Sequence, residues 1–305
     1  MKWLSPVLIL SMMCAACLEP SGDAMNKLPR LPGARLLVGY PPGILVVTSP
    51  DNTWTVADTD VYLGVFPTMS GDGNVIATTR LKSPQPIRDQ QPMSIATYSL
   101  VEGKWTEYRE IPRFQGGIAI SHDGYKLAFA VADPRRRPPV EMHVVDLNSE
   151  AERRYPIEGH LDRIGVSWSP DGRYLVYDTY PQSPYDTSDI LVLDLETGAS
   201  RKIATGYRPA WSPSGEWIAY YYLPEATRQH LMLVRPDGTG ARRLHKDKYL
   251  MTPPVWSPDS TRIILSAGRD YMTGTVDVKV VNIATRKVTR LVKGGPPVFG
   301  WAEAK

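Results

Sequence analysis

Cysteine is almost missing: the 305 residues hold 2, Cys14 and Cys17, both in the N-terminal stretch. A disulfide-stapled core and a thiolate metal site in the body of the chain are thereby excluded. A dominant charge sign is missing too, because 35 Lys and Arg against 32 Asp and Glu leave only +3. That is too little to imply a nucleic-acid partner, although local basic clusters stay open. The one strongly apolar stretch, Val7 to Met13, is too short to cross a bilayer stably. Apolar residues at the sustained 3.6-residue spacing of a long helix are absent. The 5 histidines, His122, His143, His160, His230 and His245, form no His-Glu-x-x-His or Cys/His pattern, and structural roles are expected for them. There is no Gly-x-Ser-x-Gly elbow for a serine nucleophile and no Gly-rich phosphate cradle between a strand and a helix. Asp58-Thr59-Asp60 and Asp186-Thr187-Ser188-Asp189 lack a full calcium loop and read as turn caps. What remains is an ordinary soluble composition, 42% hydrophobic, long enough to bury a large core.

The first residues have a different character. Lys2 and Trp3 precede the apolar run, and Cys14-Ala15-Ala16-Cys17 follows it, with Leu18-Glu19-Pro20-Ser21-Gly22 beyond. A charged start, a short apolar segment and small residues before a cut describe an export signal. The stretch resembles a bacterial lipoprotein signal, departing from it in having Cys14 where that family has Leu. The resemblance implies a signal peptide over 1–16, acylation of Cys17, and a tether over 17–33. Leu18 stands where a retention signal for the inner membrane would have Asp, so the periplasmic face of the outer membrane is the expected location.

Self-similarity runs through the rest. Thr68-Met69-Ser70-Gly71-Asp72-Gly73, Ile120-Ser121-His122-Asp123-Gly124, Trp168-Ser169-Pro170-Asp171-Gly172, Trp211-Ser212-Pro213-Ser214-Gly215 and Trp256-Ser257-Pro258-Asp259-Ser260 share one pattern. Their serines stand at 70, 121, 169, 212 and 257. Ser and Asp cap such a turn, Pro presets its corner, and Gly accepts the positive φ. Each turn is followed by three strand-like runs, as in Tyr174–Tyr177, Ile190–Leu193 and Arg201–Ala204. Four strands per unit make the blade of a β-propeller. Three strands precede the first turn, around Leu36, Val46 and Trp54, and Val298-Phe299-Gly300-Trp301 supplies a lone opening strand at the other end. Joining the two completes a sixth blade, so an all-β, six-bladed propeller over 34–305 is predicted, closed by the C-terminal strand pairing with the N-terminal ones. The recurring Trp168, Trp211, Trp256 and Trp301 are expected to pack between blades.

These repeats, Trp168-Ser169-Pro170-Asp171-Gly172 with Tyr174–Tyr177 above all, resemble the propeller repeat of TolB and of the prolyl oligopeptidase and dipeptidyl peptidase IV propellers. The resemblance implies the fold, and contact with a peptidoglycan-associated lipoprotein only for the propeller half. The N-terminal α/β domain of TolB has no counterpart, so its contacts are not carried over.

Function is sought on the rim where the loops between second and third strands meet the blade-to-blade crossings. These loops vary most in length and are rich in Pro, Arg and Tyr, which suits a protein or peptide partner. Arg88, Arg135, Arg136, Arg137, Tyr180, Tyr185, Arg228, Arg269 and Tyr271 are the candidate contact residues. Arg163 and Arg208, which open inner strands, are expected to reach the central channel. The reading is a monomeric, lipid-anchored envelope module that binds a protein or peptide, touches the membrane only through its lipid, and needs no catalytic residue, metal or cofactor. The alternative is a propeller enzyme, lactonase-like, lyase-like or peptidase-related, or a small-ligand binder using the channel.

Overall fold

The computed structural model describes residues 29, 31–40, 44–48, 54–58, 66–81, 93–111, 117–132, 140–157, 165–179, 188–225, 228–268 and 276–303. Among them are 24 strands in six antiparallel sheets of four. The chain opens with β1 (Ala34–Tyr40), β2 (Ile44–Thr48) and β3 (Trp54–Asp58). Blade one follows as β4 (Thr68–Met69), β5 (Val75–Leu81), β6 (Met93–Ser99) and β7 (Lys104–Ile111). Blade two is β8 (Ile118–Ile120), β9 (Lys126–Ala132), β10 (Val140–Asp146) and β11 (Glu152–Pro156). Blade three is β12 (Val166–Trp168), β13 (Tyr174–Asp178), β14 (Asp189–Asp194) and β15 (Ser200–Thr205). Blade four is β16 (Tyr207–Trp211), β17 (Ile218–Glu225), β18 (Arg228–Val234) and β19 (Arg242–Asp247). Blade five is β20 (Val255–Trp256), β21 (Arg262–Ala267), β22 (Val276–Asn282) and β23 (Val288–Gly295), and the last strand is β24 (Val298–Glu303).

The sixth blade has the predicted composition, in the order β24-β1-β2-β3. β24 runs antiparallel to β1, with Ala34 opposite Glu303, Leu36 opposite Trp301 and Leu37 opposite Gly300. Gly300 is required there, because a Cβ would lie 2.8 Å from the Met69 Cβ of blade one. The repeated turn works as its residues suggest. In four copies the serine hydroxyl donates to the aspartate two positions on, Ser70–Asp72, Ser121–Asp123, Ser169–Asp171 and Ser257–Asp259, at 2.5 to 2.6 Å. It also accepts the amide five positions on, as from Tyr174 at 2.8 Å. The residue closing the turn has positive φ in all five, and in the fifth this is Ser260 at 58° rather than glycine. The Ser260 hydroxyl accepts the Ser214 amide of the neighbouring blade's turn at 2.9 Å, an interaction glycine could not make.

The core is divided among the seams between blades. Six apolar clusters correspond to six seams, including Leu37, Val47, Ile76 and Phe299 between blades six and one. The motif tryptophans lie in these seams, 6 to 8% exposed. Trp168 Nε1 donates to the Ala119 carbonyl of blade two, and Trp256 Nε1 to the Ala210 carbonyl of blade four. These two seams thus combine apolar burial with a directional bond that fixes how far one blade is rotated against the next, whereas Trp211 Nε1 donates to Gly215 within its own blade.

One local expectation is corrected. Leu223 to Arg228 reads as one of the variable second-to-third loops, but β17 continues to Glu225 and β18 begins at Arg228, with those two residues paired. The run Tyr220-Tyr221-Tyr222 has strong β preference, and a proline is tolerated where the strand has become an edge.

Candidate functional site

Strand direction sorts the two faces. Every inner strand starts on the face that carries the second-to-third strand connections, and five of the six, all but β24, end at the Ser-containing turns of the opposite face. The mouth of the central channel on the loop face is therefore built from the residues that open the inner strands. Arg208, in the second position of β16, has a φ of 53°, a conformation costly for a residue with a Cβ. Its amide donates to Asp178 Oδ2 at 2.6 Å, while Asp178 Oδ1 accepts the Gly165 amide at 2.6 Å. Gly165 is packed closely, since a Cβ there would meet the Arg208 Cα at 3.2 Å and Asp178 Oδ2 at 3.3 Å.

The Arg208 side chain extends from that anchor. Its Nη1 donates to the carbonyls of Leu250, at 2.9 Å, and Met251, at 2.7 Å, in the crossing to blade five. The guanidinium carbon lies 5.0 Å from the ring centre of Phe66 and 5.9 Å from that of Tyr207. Phe66 opens blade one and packs against Phe299 of blade six at 6.0 Å. Blades one and four are opposite in a ring of six, so Arg208 crosses the axis and ties blades one, three, four and five together at this mouth.

The electrostatics suit a lock better than a reactive centre. Burial pushes the Asp178 carboxyl up to about 6, against the opposing pull of the Arg208 and Gly165 amides and the Arg208 charge. Each of its oxygens accepts one backbone amide, so the carboxyl serves as a structural acceptor between blades three and four. Tyr207 is pushed up to about 12 by burial, and Tyr221 is also raised by burial, so both phenols stay protonated.

The described histidines do not converge. His122 covers Gly71 of blade one so closely that a Cβ there would lie 2.0 Å from the imidazole. His143 is buried, stacked on Phe129 at 5.3 Å, with Nδ1 2.5 Å from Glu152 Oε1. Burial holds its pKa down despite that carboxylate, and the neutral ring donates to Glu152. Hydrogen bonds from Arg109 above all, then from Arg154 and His143, lower Glu152 to about 2. His245 and Lys279 share Asp247, at 3.4 and 2.5 Å, and His230 lies beside Tyr222. Asp189 is ion-paired with Lys202 at 2.7 Å. No group of three His, Cys, Asp or Glu able to hold a metal occurs among the described residues.

Of the residues singled out in the sequence, Arg208 lies at the channel mouth and Arg228 is exposed at the tip of blade four. Cys17, Arg88, Arg135, Arg136, Arg137, Arg163, Tyr180, Tyr185, Arg269 and Tyr271 lie outside the described residues, as do His160 and Asp186. Asp178 and Phe66 were not singled out. The signal for Asp178 is its offset: it stands nine residues after Ser169, as Ser266 stands nine after Ser257. Both accept an amide that opens the next blade, Ser266 Oγ taking that of Val298 at 3.1 Å.

No family model matches the chain. A stretch of 106 residues, 32% of this chain and 16% of the relative, is 28% identical to an uncharacterised peptidase, YuxL, of Bacillus subtilis (strain 168). Another of 117 residues, 38% of this chain and 26% of the relative, is 28% identical to a TolB homolog of Chlorobium luteolum. These matches therefore span about a sixth and a quarter of the relatives' own lengths. Among solved structures, TolB from Acinetobacter baumannii superposes with a TM-score of 0.69 at 15% identity, covering 88% of this chain and 65% of that one. An oligogalacturonate lyase in complex with manganese gives 0.57 at 12%, over 82% and 70%. A chain of a nidogen/laminin complex gives 0.61 at 15%, over 90% and 99%. At these identities the shared property is the fold.

Proposed function

We propose that this TolB-like six-bladed β-propeller is a non-catalytic binding or scaffold module of the bacterial envelope, anchored through a lipid on Cys17 and presenting its loop face to a protein or peptide. The observation that carries the reading is the channel mouth, where the chain's own Arg208 occupies the axial position and is bonded to Leu250 and Met251. A propeller enzyme or small-ligand binder keeps that space for substrate. With Arg208 held across the mouth by these bonds, the rim is the surface we assign to a partner, and its Pro, Arg and Tyr content suits interface anchors. The tether over 17–33 and a location on the periplasmic face of the outer membrane follow from the signal sequence. Support from relatives is of the same kind: TolB homologs and a nidogen/laminin complex share the fold.

The test is crosslinking in intact envelopes followed by pull-down of the full chain, with and without Arg135→Ala, Arg136→Ala and Arg137→Ala. Partner recovery is expected to fall about tenfold in the triple variant, the loss of one interface anchor cluster. Unchanged recovery would remove the basic patch. Turnover of a pectic oligosaccharide, a lactone or a peptide by the purified chain would favour the enzyme reading instead.

A further inference from the structure

The outer end of blade four differs from the rest of the loop face. β17 and β18 stay paired out to Glu225 and Arg228, whereas β16 last pairs at Tyr207, opposite Tyr221. Tyr222, Leu223 and Pro224 therefore project beyond the inner strand. Tyr222 and Leu223 are 37% and 47% exposed, and Tyr249, in the crossing to blade five, is 42% exposed. The other exposed large hydrophobics among the described residues, Val101 and Tyr125 in turns and Val288 at the start of β23, lie towards the opposite face. Tyr249 is held outward by a φ of 54°, in a crossing pinned by the Gly268 amide on the Tyr249 carbonyl and the Leu250 amide on the Gln229 side chain.

Cations frame this apolar tip. Arg228, Lys246 and Lys248 are exposed, and Arg228 stands opposite Glu225 in the strand pairing. Pairing places Tyr222, His230 and Lys246 in one row across the sheet. Two acids belong to the group: Glu225, against three cations, and Asp247, which is taken by Lys279 at 2.5 Å. Its carboxyl is held well below the usual range by His245 and Lys279, against the upward push of burial. The local charge left for a partner is thus positive.

We propose that the tip of blade four docks an acidic polypeptide segment, which sets an apolar side chain against Tyr222, Leu223 and Tyr249 while its carboxylates face Arg228, Lys246 and Lys248. This rests on the protein-binding reading of the loop face and narrows it to one blade. Three cations fall short of the roughly 4–8 of a lipid-binding basic cluster and of the roughly 6–10 phosphate contacts typical of strong nucleic-acid binding. An exposed aliphatic side chain among tyrosines supplies what a peptide anchor needs. Pro224 removes an amide from the projecting edge, which disfavours strand pairing with another chain and leaves side chains as the means of recognition.

The test places a benzoylphenylalanine crosslinker, one site at a time, at Leu223, Tyr249, Arg135, Tyr185, Val101 and Val288 of the full chain in its host cells. Adducts from 223 and 249 to one polypeptide, joined at an acidic segment, are expected. Yields at 101 and 288 should be lower by about tenfold, and Arg228→Glu with Lys246→Glu and Lys248→Glu should reduce the 223 adduct by a similar factor. Lipid or nucleic-acid adducts, attachment at a neutral segment, equal yields on both faces, or indifference to charge reversal would overturn the proposal. A partner caught only from 135 or 185 would overturn it while leaving the protein-binding reading standing. No adduct from any site would overturn both.

Discussion

Single residues set the spacing between blades, and two of them lend themselves to direct measurement. Gly71 lies under the ring of the exposed His122, which must swing aside to admit a methyl group. Gly71→Ala is predicted to cost at most about 1 kcal/mol of unfolding free energy, less than overpacking of a closed core, and the cost should largely vanish in a His122→Ala background. Chemical denaturation of the four proteins of that cycle checks it. Asp178 gives a pH signature. Its folded pKa, about 6, lies above its ordinary value of 3.8, so its contribution to stability is fully present only below that ordinary value and is lost as pH rises through about 6. Relative to Asp178→Asn, the native protein should lose about 2 kcal/mol between pH 4 and 7. A constant difference across that range would show that the carboxyl ionises freely. The turn caps were legible in the sequence because Ser169, Asp171 and Gly172 act within a few positions of each other. The Asp178–Arg208 lock was half legible, as Arg208 could be placed near the channel but its acceptor depends on a neighbouring blade's register.

At the level of strands, the outer edges of blades one and two are stapled across their seam. Arg109 of β7 makes a paired contact with Glu152 of β11, at 2.9 and 2.6 Å, and Arg154 and His143 complete the group. Glu152→Gln is predicted to cost about 1–2 kcal/mol at neutral pH, a modest figure because Arg109 and Arg154 face solvent. Since the Glu152 pKa is lowered to about 2, this advantage of the native protein is present above the ordinary carboxylate range and should fade as pH drops towards 2. Paired thermal melts across pH would detect it; an advantage that persists in acid would contradict the assignment. The projecting hairpin of blade four shows where strand reading by residue type fails. Leu223 to Arg228 has the residue types of a loop, yet an edge position has no ladder bond for Pro224 to remove.

For the molecule as a whole, the pairing of β24 with β1 covers the edge that β1 would otherwise expose and leaves no blade face open at the ends of the array. The two ends of the chain were predictable as partners because the three opening strands lacked an inner strand and the terminal repeat lacked followers. The remainder of the candidate interface was legible only as composition, since loop conformation follows from neighbours rather than from periodicity. The most direct test of the closed ring is a Cys pair at Arg35 and Ala302, directly opposite in β1 and β24, with Cys14 and Cys17 changed to Ser. Antiparallel partners lie about 4.5–5.5 Å apart between Cα atoms, within disulfide reach. Mild oxidation of the folded protein should form the bond nearly completely and raise the unfolding free energy by up to about 5 kcal/mol, as for a very long closed loop. A pair that remains reduced under those conditions while the protein stays folded would contradict the closed six-bladed ring.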